Sequence, residues 1–320
     1  MADKPSKALV LYGDGLPRFV HSSHTHLHSF ASKASCGFLT LPNAPPSESE
    51  DERSVREFAV LLDACQAYLN MIGHTSELEC QEKSVIPTLS FRFMGMRAAL
   101  ITNNSRMKSF GGKLGFTTLQ LNELCGTNDS LAELSIDVLA SEMLKLLGFQ
   151  DGKMVEACQY DLVFLHIGAG EKMVHEKQKA VANDVEYINS LVGGIMQIAQ
   201  PGSEVGSRLH LSVLMSYGCV SEADDSDLSV LISTDEKNSF LSKLIPRQSY
   251  TMKGENPRND VRHHCPMLIA QWQYAVTRKD MAEKFSFKDF KEHGGNLVIP
   301  ADRFLYEVAF KLWKSPKYGA

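Results

Sequence analysis

Short apolar runs that alternate with helical segments along the whole chain constrain most strongly what this sequence can fold into. The first run, Ala8–Tyr12, stops at Gly13-Asp14-Gly15, as a buried parallel strand stops in a turn at its carboxyl end. That end is where α/β proteins place their chemistry. Further strands are predicted at Gly37–Leu41, Arg97–Thr102, Tyr160–Ile167 and Leu209–Ser216.

Helical periodicity occupies the intervals between these strands. Helices are predicted at His21–Lys33, Arg53–Leu69, Ser130–Leu147, after Gly168-Ala169-Gly170, and at Lys279–Phe285. Two edge strands are predicted at His264–Gln271 and Asn296–Pro300. This order implies right-handed crossovers and an α/β fold with a mainly parallel central sheet and helices on both faces. Because no internal repeat or clean linker interrupts the pattern, residues 1–320 are expected to form a single α/β domain.

Composition excludes several classes of function. The net charge of −5, without clustered Lys/Arg among aromatic residues, is atypical of nucleic-acid binding. Seven scattered cysteines without a C-x-x-C pair indicate reduced thiols. No early apolar run has the length of a signal or membrane segment. We therefore expect no membrane association and a cytoplasmic location, with the nucleus as an alternative.

A series of segments carries a family resemblance in collinear order. They are Ala8–Leu16 (ALVLYGDGL), His24–Leu39, Ser54–Ala64 (SVREFAVLLDA), Ala98–Phe116, Tyr160–His175 (YDLVFLHIGAGEKMVH), His264–Ala270 and Glu292–Ile299. Together they resemble the cofactor-independent phosphoglycerate mutases, especially the archaeal-type branch, which belong to the alkaline phosphatase superfamily. The resemblance implies an alkaline-phosphatase-like core.

The resemblance also implies two divalent metal ions, which activate a nucleophile and stabilise charge on the transferring phosphoryl group. At the first centre Asp14 is present, but Ser216-Tyr217 stands where the family has an Asp-His pair, so we expect that centre to be empty. At the second centre Glu171 and His175 keep the carboxylate-x-x-x-His spacing. Its later ligand has three candidates, Asp260, His263 and His264. The cofactor is thus expected to be one divalent ion (Mn, Zn or Mg) or none.

Other parts of the family pattern are also altered. Ser54 is the candidate nucleophile, but the Asp that normally follows it is Val55. Acidic residues precede it in the loop Ser47–Glu52 and would repel a phosphorylated substrate. The substrate-clasping domain that the family inserts before Ala98 is replaced by a short linker. Ser105, Arg106 and Lys108 form a candidate anion-binding set.

These substitutions predict a catalytically degenerate homologue, or pseudoenzyme, of cofactor-independent phosphoglycerate mutase that acts by binding a ligand or a protein. The expected partner is a small phosphorylated ligand or another protein, and a homodimer is an alternative assembly. Two other functions remain open. One is a mononuclear metal-dependent phosphatase or phosphodiesterase that uses Glu171 and His175. The other is a dimeric interaction protein or complex subunit.

Overall fold

Within the residues that the structure describes, eight strands form one central sheet, and seven of them run in the same direction. The computed structural model describes residues 5–73, 87–125, 136–155, 159–168, 174–220, 226–231, 249–253, 255–276, 280–295 and 298–316. Its strands are β1 (Lys7–Asp14), β2 (Ser35–Pro42), β3 (Ala98–Ile101), β4 (Thr117–Leu119), β5 (Phe149–Gln150), β6 (Lys153–Met154), β7 (Leu162–Gly168), β8 (Leu209–Ser216), β9 (Met252–Lys253), β10 (Asn256–Pro257), β11 (Val261–Gln273) and β12 (Val298–Pro300). The central sheet has the order β12-β2-β11-β8-β1-β7-β3-β4.

Helices cover both faces of this sheet. They are α1 (Thr25–Ala31), α2 (Glu50–Leu61), α3 (Cys65–Ile72), α4 (Leu89–Arg92), α5 (Ser105–Lys113), α6 (Leu121–Cys125), α7 (Ile136–Leu146), α8 (Val174–Ile198), α9 (Glu204–Arg208), α10 (Phe287–His293) and α11 (Phe304–Lys311). Among the described residues, no helix is both long enough and apolar enough to cross a membrane.

Two hydrophobic cores lie on opposite faces of the sheet, and β1 contributes to both. Leu9 and Leu11 pack into the core that contains α1, α7, α8 and α10. Ala8, Val10 and Tyr12 point the other way, into the core that contains α2, α3, α5 and α11. A strand that is buried on both faces requires apolar residues at every position, which explains the continuous apolar run in the sequence.

One of the two predicted edge strands differs from the structure. The prediction that His264–Gln271 is an edge strand was wrong, because β11 lies between β2 and β8 and is antiparallel to both. Its residues Met267 and Leu268 are buried and face opposite cores. Over its described part, Val298–Pro300, the predicted edge strand Asn296–Pro300 is confirmed, since β12 is at the sheet edge.

Two helix predictions also need correction. The predicted helix Lys279–Phe285 is wrong over its described part, residues 280–285, which are not helical. The Asp280 carboxylate instead accepts a hydrogen bond from Cys36 N at 3.0 Å, and the nearby helix α10 begins after Ser286. The predicted helix Arg53–Leu69 is two helices, broken where Asp63 takes a positive φ of 48°.

The sheet register determines where the site lies. Asp14 ends β1 and aligns with Ser216 at the end of β8 and with Gly168 at the end of β7. Carboxyl ends of adjacent parallel strands therefore bring these residues to one edge. A Cβ atom on Gly168 would lie 2.8 Å from Asp14 Cβ, so the close approach of the two strands requires glycine there.

Candidate functional site at the carboxyl edge of the sheet

A buried ion pair joins Asp14 to helix α2. Arg53 Nη2 donates to Asp14 Oδ2 at 2.9 Å, and Asp14 and Arg53 are only 8% and 4% exposed. Burial would raise the pKa of the Asp14 carboxyl, but the Arg53 guanidinium and the nearby His166 imidazole outweigh it, so that pKa lies well below its usual range. Asp14 is therefore a carboxylate at every pH at which the fold is expected to survive.

The ion pair is part of a longer buried network. Arg53 Nη1 donates to Glu57 Oε2 at 2.9 Å, and Arg262 Nη2 from β11 lies 3.6 Å from Glu57 Oε1. Two carboxylates and two guanidiniums thus alternate in space, and their formal charges cancel. Helix α2 positions Arg53 and Glu57 on one face because they are four residues apart.

Ser216 and Tyr217 both contact neighbouring side chains, and Ser216 belongs to the network. Ser216 Oγ donates to Asp14 Oδ1 at 2.7 Å, while Tyr12 Oη donates to Ser216 Oγ at 3.3 Å. Tyr217 is buried and lies under the Arg18 guanidinium, 5.5 Å from ring centroid to Cζ. A hydroxyl and an aromatic ring therefore occupy the positions where the resemblance requires a carboxylate and an imidazole.

His166 on β7 completes the surroundings of Asp14. Its Nδ1 shares a hydrogen bond with Thr102 Oγ1 at 2.9 Å, and Thr102 Oγ1 also accepts from Asn104 N at 3.1 Å. The other ring nitrogen, Nε2, lies 3.9 Å from Asp14 Oδ2, which is too long for a hydrogen bond. The imidazole is fixed in orientation, and its second nitrogen faces the carboxylate.

Buried polar atoms without a hydrogen-bond partner concentrate in and beside this network. Among the described residues they include Arg53 Nε, Ser54 Oγ, Arg56 Nη1, Glu57 Oε1, His166 Nε2 and Arg262 Nε. Such atoms are uncommon in folded proteins and are typical of functional sites or of former ones. The buried polar edge of the sheet is therefore paired by ion pairs but keeps several unsatisfied hydrogen-bonding atoms.

The predicted metal ligands are only partly gathered. The part of the chain that the structure describes contains no group of three or more His, Cys, Asp or Glu residues placed to hold a metal ion. Asp260 is exposed in the turn before β11, and His264 pairs with Ser229 in an isolated β-bridge. His263 faces the Tyr250 ring at 5.8 Å, and burial lowers its imidazole pKa. Their predicted role, as alternative ligands of the second centre beside Glu171 and His175, stays a prediction.

The second-centre candidates Glu171 and His175 cannot be placed in this way. Glu171 lies outside the described residues, and only the backbone of His175 is described, within α8. Their predicted role as metal ligands stays a prediction. The donors around Asp14 do not fit a divalent ion, because the Arg53 guanidinium already occupies its carboxylate.

Ser54, the candidate nucleophile, lies within α2 and is 3% exposed. Its hydroxyl has no hydrogen-bond partner among the described residues and no surface open to solvent. The helix begins earlier than predicted, with Ser49 as the N-cap of a capping box closed by Glu52. The first turn also carries Glu50 and Asp51, so the chain's own acids face the helix N-terminus, where an anion would otherwise be favoured.

The candidate anion set lies at the start of α5. Ser105 and Arg106 are exposed, and Arg106 Nη1 lies 3.6 Å from Glu52 Oε1. Lys108 Nζ lies 3.9 Å from Glu123 Oε1. Both cations of the set thus have acidic neighbours, which weakens their field for an external anion.

Four network residues escaped sequence reasoning: Arg53, Glu57, His166 and Arg262. One signal was available for the first two, because Arg53 and Glu57 stand four residues apart at the start of Arg53–Leu62 (RSVREFAVLL), which continues as an apolar helical run. His166 lay in a quoted strand but was not singled out. Arg262 gave no local signal.

Comparison with known proteins establishes the fold. No protein-family model matches the chain, and neither does any curated protein. The PH0037 protein from Pyrococcus horikoshii is 15% identical with a TM-score of 0.54, and 100% of both chains is covered. The lipoteichoic acid synthase LtaP from Listeria monocytogenes is 12% identical with a TM-score of 0.51, covering 99% of this chain and 74% of that one.

A cofactor-independent phosphoglycerate mutase from Thermoplasma acidophilum is 8% identical with a TM-score of 0.46, covering 96% of this chain and 100% of that one. At such identities a likeness shows fold alone. The predicted α/β class, with a mainly parallel central sheet and helices on both faces, is confirmed. Function rests on the chain's own residues.

Proposed function

We propose that this chain is a catalytically degenerate, alkaline-phosphatase-like protein that acts by binding a ligand or a protein partner. It would have lost the metal-dependent phosphoryl transfer that the resemblance implies. The site in question lies around Asp14. The cytoplasmic location stays a prediction.

The observation that carries the proposal is the contact of the Arg53 guanidinium with Asp14 Oδ2 at 2.9 Å. A carboxylate that is buried, paired with a guanidinium and bonded to the Ser216 hydroxyl offers little to a divalent ion. Metal-assisted catalysis requires open coordination positions beside a nucleophile. The buried Ser54 hydroxyl and the acidic first turn of α2 support the same conclusion.

The test is a pair of measurements on the purified full-length chain. We expect p-nitrophenyl phosphate, bis-p-nitrophenyl phosphate and 3-phosphoglycerate to be turned over no faster by the wild type than by Asp14→Asn, with Mn²⁺, Mg²⁺ or Zn²⁺ present. Elemental analysis of the same samples reports bound metal per chain. Metal-dependent turnover that Asp14→Asn abolishes would refute the proposal.

The mononuclear phosphatase is the main competing function. It requires turnover that His175→Ala removes, and a bound ion that the same variant loses. Because the Glu171 and His175 side chains lie outside the described residues, turnover and metal binding by His175→Ala are the direct test of the predicted second metal centre.

Partner binding is tested separately. Size-exclusion chromatography with light scattering gives the assembly state, and calorimetry with 3-phosphoglycerate and inorganic phosphate tests a phosphorylated ligand. A monomer that binds neither compound would favour a protein partner over the small-ligand form of the proposal.

A further inference from the structure

Large apolar side chains stand in water at the amino edge of the central sheet, where β1, β3 and β7 begin. Phe91 on α4 is 84% exposed, Met94 between α4 and β3 is 65% exposed, and Trp313 after α11 is 66% exposed. The backbones of Met94 and Trp313 also take positive φ angles of 45° and 61°, which bulky residues rarely adopt. Strain that presents an apolar side chain to solvent costs free energy twice and is typical of binding sites.

Trp313 occupies the helix end at which glycine is preferred. Its N donates to Phe310 O at 3.1 Å, and Lys314 N donates to Ala309 O at 2.8 Å. These two bonds close the carboxyl end of α11 around a left-handed residue, which is usually glycine. A glycine would remove both the backbone strain and the exposed indole, so Trp313 lowers the stability of the free chain.

Cations gather around one carboxylate at the same edge. Lys7 Nζ lies 3.3 Å and Arg97 Nη2 lies 3.6 Å from Asp161 Oδ1, and Lys314 Nζ lies 3.4 Å from Asp161 Oδ2. Three cations less one carboxylate leave an excess of two positive charges in this cluster. The Lys7 and Asp161 side chains are buried, whereas those of Arg97 and Lys314 are 52% and 27% exposed. The excess charge therefore faces solvent.

The cations and the apolar side chains belong to one surface. Arg97 follows Met94 by three residues, and Lys314 follows Trp313 directly. Both cations contact the Asp161 carboxylate, which brings the two chain segments together. We call this surface the amino-edge patch and define it by Phe91, Met94, Arg97, Trp313 and Lys314.

We infer that the amino-edge patch binds an acidic segment of a partner protein, one that carries an aromatic or large aliphatic side chain among its carboxylates. The carboxylates would face Arg97 and Lys314, while the apolar side chain would cover Trp313 and Met94. The inference rests on the proposed function, because it names the chemistry of the protein partner and the surface that binds it. The 8 residues of β1 separate this surface from Asp14 by about 23 Å.

Charge favours this occupant over three others. A second copy docked by two-fold symmetry would set the patch against its own image, so that like charges would meet. A lipid bilayer and a nucleic acid are anionic over a much larger area than the patch, and they would repel the remainder of a chain whose net charge is −5. A short acidic segment reaches the cations without approaching the rest of the surface.

The experiment selects a phage-displayed library of random peptides on the full-length wild-type chain, after depletion of the library on Trp313→Gly. We expect the enriched peptides to combine Asp or Glu with an aromatic or large aliphatic residue. The most enriched peptide without tryptophan is then synthesised. It should shift the tryptophan emission of the wild type to the blue, because Trp272, the other tryptophan, is already buried. Salt at about 1 M, where the Debye length is about 3 Å, should weaken its binding.

Calorimetry with that peptide compares three variants. Trp313→Gly and Arg97→Gln should each weaken binding by about tenfold or more. Trp313→Gly should also unfold at a temperature no lower than that of the wild type, because glycine is preferred at this helix end. Met281→Ser is the control for a general loss of exposed apolar surface and should bind as the wild type does. Met281 is 75% exposed and adjoins Asp280, which bonds to Cys36 on β2, and three strands separate β2 from β7.

The inference is overturned if no peptide is enriched, if the enriched peptides lack acidic residues, or if Trp313→Gly unfolds at a lower temperature, which would assign the indole to packing. Dimerisation that depends on Trp313, seen by light scattering, would overturn it in favour of a second copy. Binding of phosphatidylserine vesicles or single-stranded DNA that depends on Trp313 would overturn it in favour of a bilayer or a nucleic acid. These outcomes are distinct from failure of the proposed function, which is measured as turnover by the wild type.

Discussion

Arg53 is the residue on which the buried charges at the sheet edge depend. Burial would lower the pKa of its guanidinium, but the Asp14 and Glu57 carboxylates outweigh this and raise it. The guanidinium therefore never becomes neutral, and neither does Asp14. Removing one partner leaves a full charge in a site that water does not reach.

We predict that Asp14→Ala and Arg53→Met each lower the free energy of unfolding by about 3–5 kcal/mol, the usual cost of breaking a buried ion pair from one side. The double variant should lose less than the sum of the two, because neither charge is then stranded. Urea unfolding of the four proteins, in EDTA, closes this cycle.

Lys108→Ala is a matched control for the ion-pair cycle. Its ammonium lies 3.9 Å from Glu123 and is partly exposed, so its loss should change stability by less than about 1 kcal/mol. Strict additivity of Asp14→Ala and Arg53→Met would contradict a coupled pair.

At the residue scale, the sequence predicted only those site residues that stand at the ends of recognisable strands. Asp14 follows an apolar run, and Ser216-Tyr217 follows another, so their positions could be found by pattern. Arg53 was missed despite its i,i+4 spacing to Glu57, because charged residues from Glu48 to Glu57 resemble a solvated helix face. Their burial depends on β1 and β11, whose approach to α2 is a tertiary contact.

At the scale of elements, α5 contacts β3 through a glycine. A Cβ atom on Gly111 would lie 2.6 Å from Leu100 Cδ2, whereas one on Gly112 would meet nothing within 4 Å. Leu100 is completely buried and has little room to move. The glycine-rich stretch therefore serves packing, and adjacent glycines of one helix have different roles.

We predict opposite effects of alanine at these two glycines. Gly111→Ala should lower the free energy of unfolding by about 1–3 kcal/mol through overpacking, although alanine is the better helix former. Gly112→Ala should raise it by up to about 1 kcal/mol, because only helix propensity changes. Thermal unfolding of both variants decides the point, and equal shifts would rule out close packing at Gly111.

Helix α1 depends on a neighbouring helix for its N-terminal cap. His24 at the N-cap makes no side-chain cap bond. Asn189 Oδ1 from α8 instead accepts from His26 N at 3.1 Å and from Leu27 N at 3.2 Å. Two backbone donors thus rely on one buried amide.

Asn189→Ala should therefore lower the free energy of unfolding by about 1–3 kcal/mol, since it leaves both donors without their acceptor. Amide hydrogen exchange at His26 and Leu27 should accelerate more than exchange elsewhere in α1. Ser190→Ala, which removes a more exposed hydroxyl that bonds Glu186, is the control. Unchanged protection at the two amides would show that Asn189 is not the cap.

Apolar periodicity predicted most of these elements and their approximate bounds. The interior position of β11 was missed, although Pro266-Met-Leu-Ile-Ala270 is apolar enough for a strand buried on both faces. Its place between β2 and β8 follows from how distant strands pair, which local pattern does not encode. The break at Asp63, where φ is 48°, was missed because the apolar periodicity continues across it.

For the molecule as a whole, buried titratable groups make stability depend on pH in two directions. Burial alone would raise the pKa of Asp161, but Arg97 N and Lys7 outweigh it and lower that pKa, as for Asp14. The stabilisation from these acids is present above their unfolded pKa, about 3.9, and is lost as pH falls. Burial raises the pKa of Asp63 and Glu307, so their contribution is lost as pH rises.

The titration of His210 should dominate the decrease in folding stability between neutral and mildly acidic pH. It is fully buried on β8 with Nδ1 unpaired among the described residues, and burial, with Lys311 nearby, holds its imidazole pKa well below the usual value. Below the unfolded pKa of about 6.5, the unfolded chain binds a proton that the folded chain refuses. Stability should then fall by up to about 1.4 kcal/mol for each pH unit that this group contributes.

The measurement is urea unfolding of the wild type and His210→Gln from pH 7.5 to pH 5. The amide of Gln can still reach Ser212 Oγ, which lies 3.2 Å from His210 Nε2, but it does not titrate. We expect the slope of stability against pH to be smaller in His210→Gln than in the wild type. Parallel curves of stability against pH for the wild type and His210→Gln would mean that the folded protein accepts a proton at His210. The interior of the central sheet would then be more accessible to water than the burial of its two cores indicates.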